Sequence, residues 1–168
     1  MKKILGTLAG LVLLTGGIAS AQSNSANVDA SASATVISPI AVTNPVGLNF
    51  GQIVAGSGAG TVVLTAAGVR SIGTGTTQLG NSGSVAAAGF SVTGNANSTY
   101  SISVEAGPVD ITSVAADTMT VGSFTRSKTT GTLTSGADTF TVGGTLGVAA
   151  AQPVGAYSGT FNVVVTYN

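Results

Sequence analysis

Ser127 and Lys128 set a hydroxyl beside an amine, and that pairing is the first place to look for chemistry. A serine–lysine pair can carry out acyl transfer when the neutral amine takes the hydroxyl proton. Neighbours in an extended chain point to opposite faces, so Arg126-Ser127-Lys128 reads as a solvated loop between strands. The chain has no histidine and no cysteine, which removes the usual base for a serine nucleophile, the thiolate, the disulfide and the cysteine-ligated metal. Two carboxylates about 5–10 Å apart would suit glycoside hydrolysis, and the five acids are Asp29, Glu105, Asp110, Asp117 and Asp138. None has supporting context. Asp110 and Asp117 stand seven residues apart across an expected turn, and a calcium site needs a denser set of oxygens. The sequence therefore offers no catalytic residue, no cofactor site and no metal site.

The glycine-rich pieces Gly56-Ser57-Gly58-Ala59-Gly60 and Gly73-Thr74-Gly75 resemble phosphate cradles in composition only. Such cradles open a helix, and these read as hairpin loops. Asn97-Ser98-Thr99 is a formal glycosylation sequon inside an expected hairpin, and no role is assigned to it.

The start of the chain bears on compartment. Lys2 and Lys3 precede an apolar run from Ile4 to Ile18, and Ala19-Ser20-Ala21 fits an A-x-A cleavage pattern. The expectation is a signal peptide over residues 1–21 of an exported, bacterial-type protein destined for periplasm, cell surface or extracellular space. Beyond Ala21 there remain three basic side chains, Arg70, Arg126 and Lys128, against the five acids. That balance excludes a nucleic-acid partner, which clustered Lys and Arg would hold. No membrane partner is expected once the signal is removed.

The elements that must position any site read as strands throughout. No stretch carries the i, i+3, i+4, i+7 apolar pattern of a helix. Short alternating runs recur instead: Leu48 and Phe50, Thr61 to Thr65, Phe90 to Thr93, Thr99 to Val104, Val109 to Thr112 and Thr118 to Thr125. Thr139 to Val142 and Thr145 to Val148 follow, separated by Gly143-Gly144 read as a turn, and Asn44-Pro45 is read as another. Strand-sized runs at this spacing indicate an antiparallel sandwich or barrel. Two strands stand apart. Residues 22–37 hold a strict alternation, with Val28, Ala30, Ala32, Ala34 and Val36 on one side, and form either the first strand of the domain at 38–168 or a strand given to a neighbour. In Val154 to Asn168, Tyr157, Phe161, Val163, Val165 and Tyr167 share one parity behind Gly155, which makes this the candidate assembly strand. Leu48, Phe50, Phe90, Val92, Tyr100, Ile102, Phe140, Val142, Phe161, Val163 and Val165 are the expected core.

The last strand resembles the ending of chaperone–usher pilins, with Tyr167 penultimate and Gly155 fourteenth from the end. The resemblance implies an immunoglobulin-like, pilin-like sandwich that meets a periplasmic chaperone or another copy by strand addition. It departs from pilins in lacking a cysteine pair and in the small size of Ala30, Ala32 and Ala34. Over nearly the whole chain after Ala21, the sequence also resembles a bacterial family of domains of unknown function, DUF4402. The matching pieces are Val36-Ile37-Ser38-Pro39-Ile40, Leu48-Asn49-Phe50-Gly51, Phe90, Val92 and Gly94 with Tyr100-Ser101-Ile102, Asp138 to Leu146, and Pro153 to Phe161. Spore-coat-type secreted sandwiches share a similar ending. The function expected from these features is a non-enzymatic, exported structural subunit, fimbria-like or surface-displayed. The alternative is a self-contained extracellular module that binds glycan or protein.

Overall fold

The computed structural model describes residues 25–80 and 83–168. The expected signal segment at 1–21 lies outside them. The chain divides into two compact units, Met1–Thr35 and Val36–Asn168. Within the first, residues 25–35 are exposed and carry no strand or helix.

The second unit is all β apart from one short 3-10 turn at Thr134–Gly136. In chain order the strands are β1 (Ala41–Val46), β2 (Ile53–Val54), β3 (Gly60–Leu64), β4 (Arg70–Gly75), β5 (Gln78–Leu79) and β6 (Ala88–Thr93). They continue with β7 (Thr99–Val104), β8 (Val109–Thr112), β9 (Thr118–Arg126), β10 (Thr130–Thr132), β11 (Ala137–Val148) and β12 (Val163–Tyr167). The first sheet runs β1-β6-β11-β3-β4, with β9 also paired to β11 and β8 to β9. A second sheet runs β10-β7-β12, and β2 pairs with β5 alone. All these pairings are antiparallel.

The spine is β11. Its residues Phe140, Val142, Leu146 and Val148 share one parity, so an extended chain aims all four at the same face. Phe140 and Val142 enter one core cluster with Phe90 and Val92 of β6 and Tyr100 and Ile102 of β7. This cluster packs the three-stranded sheet against the β6 half of the larger one. Leu146 and Val148 enter a second cluster with Val62 and Leu64 of β3 and Met119 and Val121 of β9. Along its length β11 pairs with β6 over Ala137 to Val142, with β3 over Gly144 to Val148, and with β9 over Val142 to Gly147.

Three sequence expectations need correcting. Gly143-Gly144 is no turn but the middle of β11. A Cβ on Gly143 would run into the backbone of Leu64 to Ala66, so glycine is there for close approach rather than for a bend. Asn44-Pro45 lies inside β1. Proline is tolerated on an edge strand, the β1–β6 register skips between Thr43 and Val46, and the Asn44 side-chain amide donates to Gly89 O at 2.8 Å across the strands. Gly73-Thr74-Gly75 belongs to β4 and not to a hairpin loop.

The strand expected over Val28 to Val36 is absent: residues 25–39 are exposed and unassigned, with Val28 at 91% and Val36 at 96% exposure. Alternation alone does not make a strand. Alanine offers little apolar area to offset the roughly 1–2 kcal/mol cost of ordering each residue. The C-terminal strand is shorter than its pattern, with Val163–Tyr167 regular and Ser158 held by an isolated bridge to Thr112.

Candidate functional site

The second core cluster is the less completely covered one. Its floor is a row of alternate residues on adjoining strands: Val109 and Ile111 of β8, Met119 and Val121 of β9, Leu146 and Val148 of β11. The register sets Val109 opposite Val121, Ile111 opposite Met119 and Leu146 opposite Val121, so the six side chains share a face. Above them run two segments, residues 48–55 and residues 151–161, and between these lies a groove of about 940 Å³. Among the described residues lining it, Tyr157 is the only titratable one. The rest of its lining is mainly apolar, with Asn49, Gln52, Gln152, Ser158 and Thr160 as the polar side chains.

Each rim is fixed by local bonds. On the first, Asn49 bridges Ala86, and the Gly51 N–H donates to Asn49 Oδ1 at 2.8 Å. Arg70 donates to the carbonyls of Phe50 and Gln52 from behind, at 2.7 and 3.0 Å. On the second, Tyr157 donates to Pro153 O at 2.8 Å and accepts from Gln152 Nε2 at 2.9 Å. Gln152 Nε2 also donates to Thr118 O at 3.0 Å, and Ser158 pairs with Thr112 of β8.

The candidate assembly strand is divided by this geometry. Gly155, Tyr157 and Phe161 line the groove. Val163, Val165 and Tyr167 continue into β12, where they pair with Val104, Ile102 and Tyr100. All three are half-buried while Asn162, Val164 and Thr166 are exposed, which is the parity the sequence set. Phe161 joins a run of stacked rings, 4.7 Å from Phe124 and edge-on to Phe90 at 6.3 Å, and Phe90 stacks on Phe140 at 4.9 Å. β12 is the edge of its sheet. At its end the Tyr167 hydroxyl accepts from the Asn95 N–H at 2.7 Å and donates to Ser38 O at 2.9 Å. The other candidate strand, Val28, Ala30, Ala32, Ala34 and Val36, is exposed throughout.

Of the polar candidates, the structure brings Lys128 and Asp138 together, with Tyr100 beside them. Lys128 is held by Asp138, with Nζ at 2.8 and 2.9 Å from its two carboxylate oxygens, and Ser127 Oγ accepts from the Thr141 N–H at 3.0 Å. Tyr100 donates to the same carboxylate at 3.0 Å, and the Thr139 N–H donates to it at 2.7 Å. Burial, the hydrogen bond to Asp138 and its negative charge push the Tyr100 hydroxyl up to about 12. For Asp138, burial pulls upward, but hydrogen bonds from Lys128, the Thr139 N–H and Tyr100 and the charge of Lys128 hold it below the ordinary carboxylate value. Asp117 binds back to Ser113 in the β8–β9 turn. No group of three or more His, Cys, Asp or Glu side chains converges on a metal site among the described residues. No helix among them is long and apolar enough to cross a membrane.

Sequence reasoning missed the groove and Arg70. The floor comes from three strands that are unremarkable singly. Arg70 looks like any isolated surface arginine. A faint signal was present in the Leu48-to-Val54 and Tyr157-to-Phe161 runs, which carry more large apolar residues than a loop needs.

A family model described as a domain of unknown function (DUF4402) matches residues 40–167. No curated protein and no solved structure matches the chain.

Proposed function

The chain belongs to the DUF4402 family of domains of unknown function, and on that premise we propose that it is a non-enzymatic, exported structural subunit. In this reading it is an immunoglobulin-like, pilin-like sandwich lacking one strand over its second core, and copies of it join by strand addition at the cell surface. The observation that carries the reading is the groove of about 940 Å³ between residues 48–55 and 151–161, which runs over the half-buried Val109 and Ile111 and the buried Met119, Val121 and Leu146. Completing the layer over such a face calls for an extended segment whose alternate side chains point downward.

The occupant we assign is residues 28–36 of a second copy. Val28, Ala30, Ala32, Ala34 and Val36 fall on one side of that segment, and all nine residues are exposed. Alanine at alternate positions lets the incoming backbone lie deep, with a valine to anchor each end. Nine extended residues reach about 30 Å. A periplasmic chaperone that inserts its own strand would use the same groove before assembly.

Deleting residues 22–36 tests this. The full chain should form oligomers as its concentration rises, visible by size-exclusion chromatography and as fibres by electron microscopy. The shortened chain should stay monomeric, and a synthetic Val28-to-Val36 peptide should raise its Tm. A full chain that stays monomeric at millimolar concentration, with a peptide that leaves Tm unchanged, would sink the proposal. The groove volume also falls within the ~300–1,000 Å³ of ordinary ligand pockets, so a Tm raised by a soluble glycan instead would turn the reading toward a binding module.

A further inference from the structure

One cation stands behind the groove without a carboxylate to meet it. We propose that Arg70 is the positioning residue of the 48–55 rim: its guanidinium stands in for a neighbouring strand and so sets the width of the groove. The inference deepens the strand-addition reading and rests on it for its ligand.

Arg70 opens β4, and its fork reaches the residues that flank both strands of the small β2–β5 ribbon. Nη1 donates to Phe50 O at 2.7 Å and Gln52 O at 3.0 Å, and Nη2 donates to Gly80 O at 3.0 Å. The ribbon itself has only two paired positions, Ile53 with Leu79 and Val54 with Gln78, extended by the Gly80 N–H donating to Gln52 O at 3.0 Å. A two-stranded ribbon is marginal on its own. The arginine therefore supplies as many hydrogen bonds to the ribbon as the ribbon's short ladder holds positions and more. Only a planar guanidinium presents donors in a fork of this kind.

Two further observations agree. Among the described residues the ion pair is Lys128–Asp138, so the Arg70 charge is met by carbonyl dipoles. Gly51 supplies the berth: it sits at φ +70°, and a Cβ there would come within 2.7 Å of Arg70 Nη1 and 2.8 Å of Val85 Cγ2. The floor, by contrast, is anchored in the ladders of β8, β9 and β11. Rim and floor thus have separate hydrogen-bond anchors, while Phe50, Leu48 and Ile53 of the rim pack on the same apolar cluster as the floor.

The test compares the full chain with Arg70→Met, Arg70→Lys and Gly51→Ala. Hydrogen exchange at residues 52–54 and 78–80 should quicken at least tenfold in Arg70→Met, with β9 and β11 amides unchanged. A labelled Val28-to-Val36 peptide should bind at least tenfold more weakly. Arg70→Lys should restore part of both. Gly51→Ala, which keeps Arg70 but drives a methyl into its guanidinium's berth, should reproduce the loosened rim and serves if Arg70→Met does not fold. Wild-type exchange rates at the rim of Arg70→Met overturn the proposal, and so does undiminished peptide binding by a loosened rim. If the wild type binds no peptide, the strand-addition reading falls, and the exchange pattern still decides whether Arg70 positions the rim.

Discussion

Tyr100 is fully buried, yet its hydroxyl rests on a carboxylate that also holds Lys128. Its ionisation is displaced upward to about 12, so the neutral form is the one the fold favours. The stability it contributes is fully present below the unfolded tyrosine value near 10 and is lost as pH rises toward the folded value. Asp138 works from the other end. Its lowered value gives stability that is present above the unfolded aspartate range near 3.9 and lost as pH falls through the folded value. With no histidine in the chain, nothing unperturbed titrates between these arms. Thermal melts should be nearly flat from about pH 5 to 8 and fall on both sides. Tyr100→Phe should flatten the alkaline fall and cost about 1.5–3 kcal/mol near neutrality, as for a hydrogen bond to a charged group. An alkaline arm unchanged in that variant would assign the loss to another group. Phe161 makes a second test at this scale. It is half-buried against Phe124 and Phe90, so Phe161→Ala should cost about 2–3 kcal/mol, below the ~3–5 of a fully enclosed phenylalanine. Denaturant unfolding would measure it.

At the scale of elements, β11 carries the argument, because one strand serves both cores. Gly143→Ala should prevent the crossing with β3 and leave little folded protein, since backbone atoms of Leu64 to Ala66 have no side-chain freedom with which to give way. Gly47→Ala is the control: nothing stands within 4 Å of a Cβ there, and its cost should stay within about 0.5 kcal/mol by thermal melt. The same strand shows where sequence reading succeeds and where it stops. The alternation of Phe140 and Val142 was legible, as was that of Phe161 to Tyr167, because one face of each strand meets a core. Gly143-Gly144 was misread because a glycine kept for close approach looks, in one dimension, like a glycine kept for a turn. Pro45 was misread because its lost donor is replaced by the Asn44 side chain. The alanines at 30, 32 and 34 gave the cleanest period of all, but period specifies a face and not the energy to bury it. The groove was illegible for a different reason: its floor is a register relation among β8, β9 and β11, and no single run encodes it.

For the whole molecule, the low charge predicts how copies should associate. Only 6% of residues are charged, and none with a charge lines the groove among the described residues. Assembly driven by apolar burial should change little between about 0.05 and 0.5 M sodium chloride, where surface charge pairs would be screened, and should strengthen in sulfate. Light scattering across a salt series would measure this, and a steep loss with sodium chloride would point to ion pairs instead. The bond from Tyr167 to Ser38 has a consequence in time. It joins positions 129 residues apart, and β12 lays itself on β7, an element well upstream of it. At synthesis rates of roughly 5–20 residues per second, β7 waits about 3 to 13 s for β12, 67 residues on. Through that interval Phe90 and the β7 face stand open, and every nascent copy nearby shares the same vulnerable surface. A fold fastened by a strand so far along the chain is one whose quality is decided long after its first strands are made.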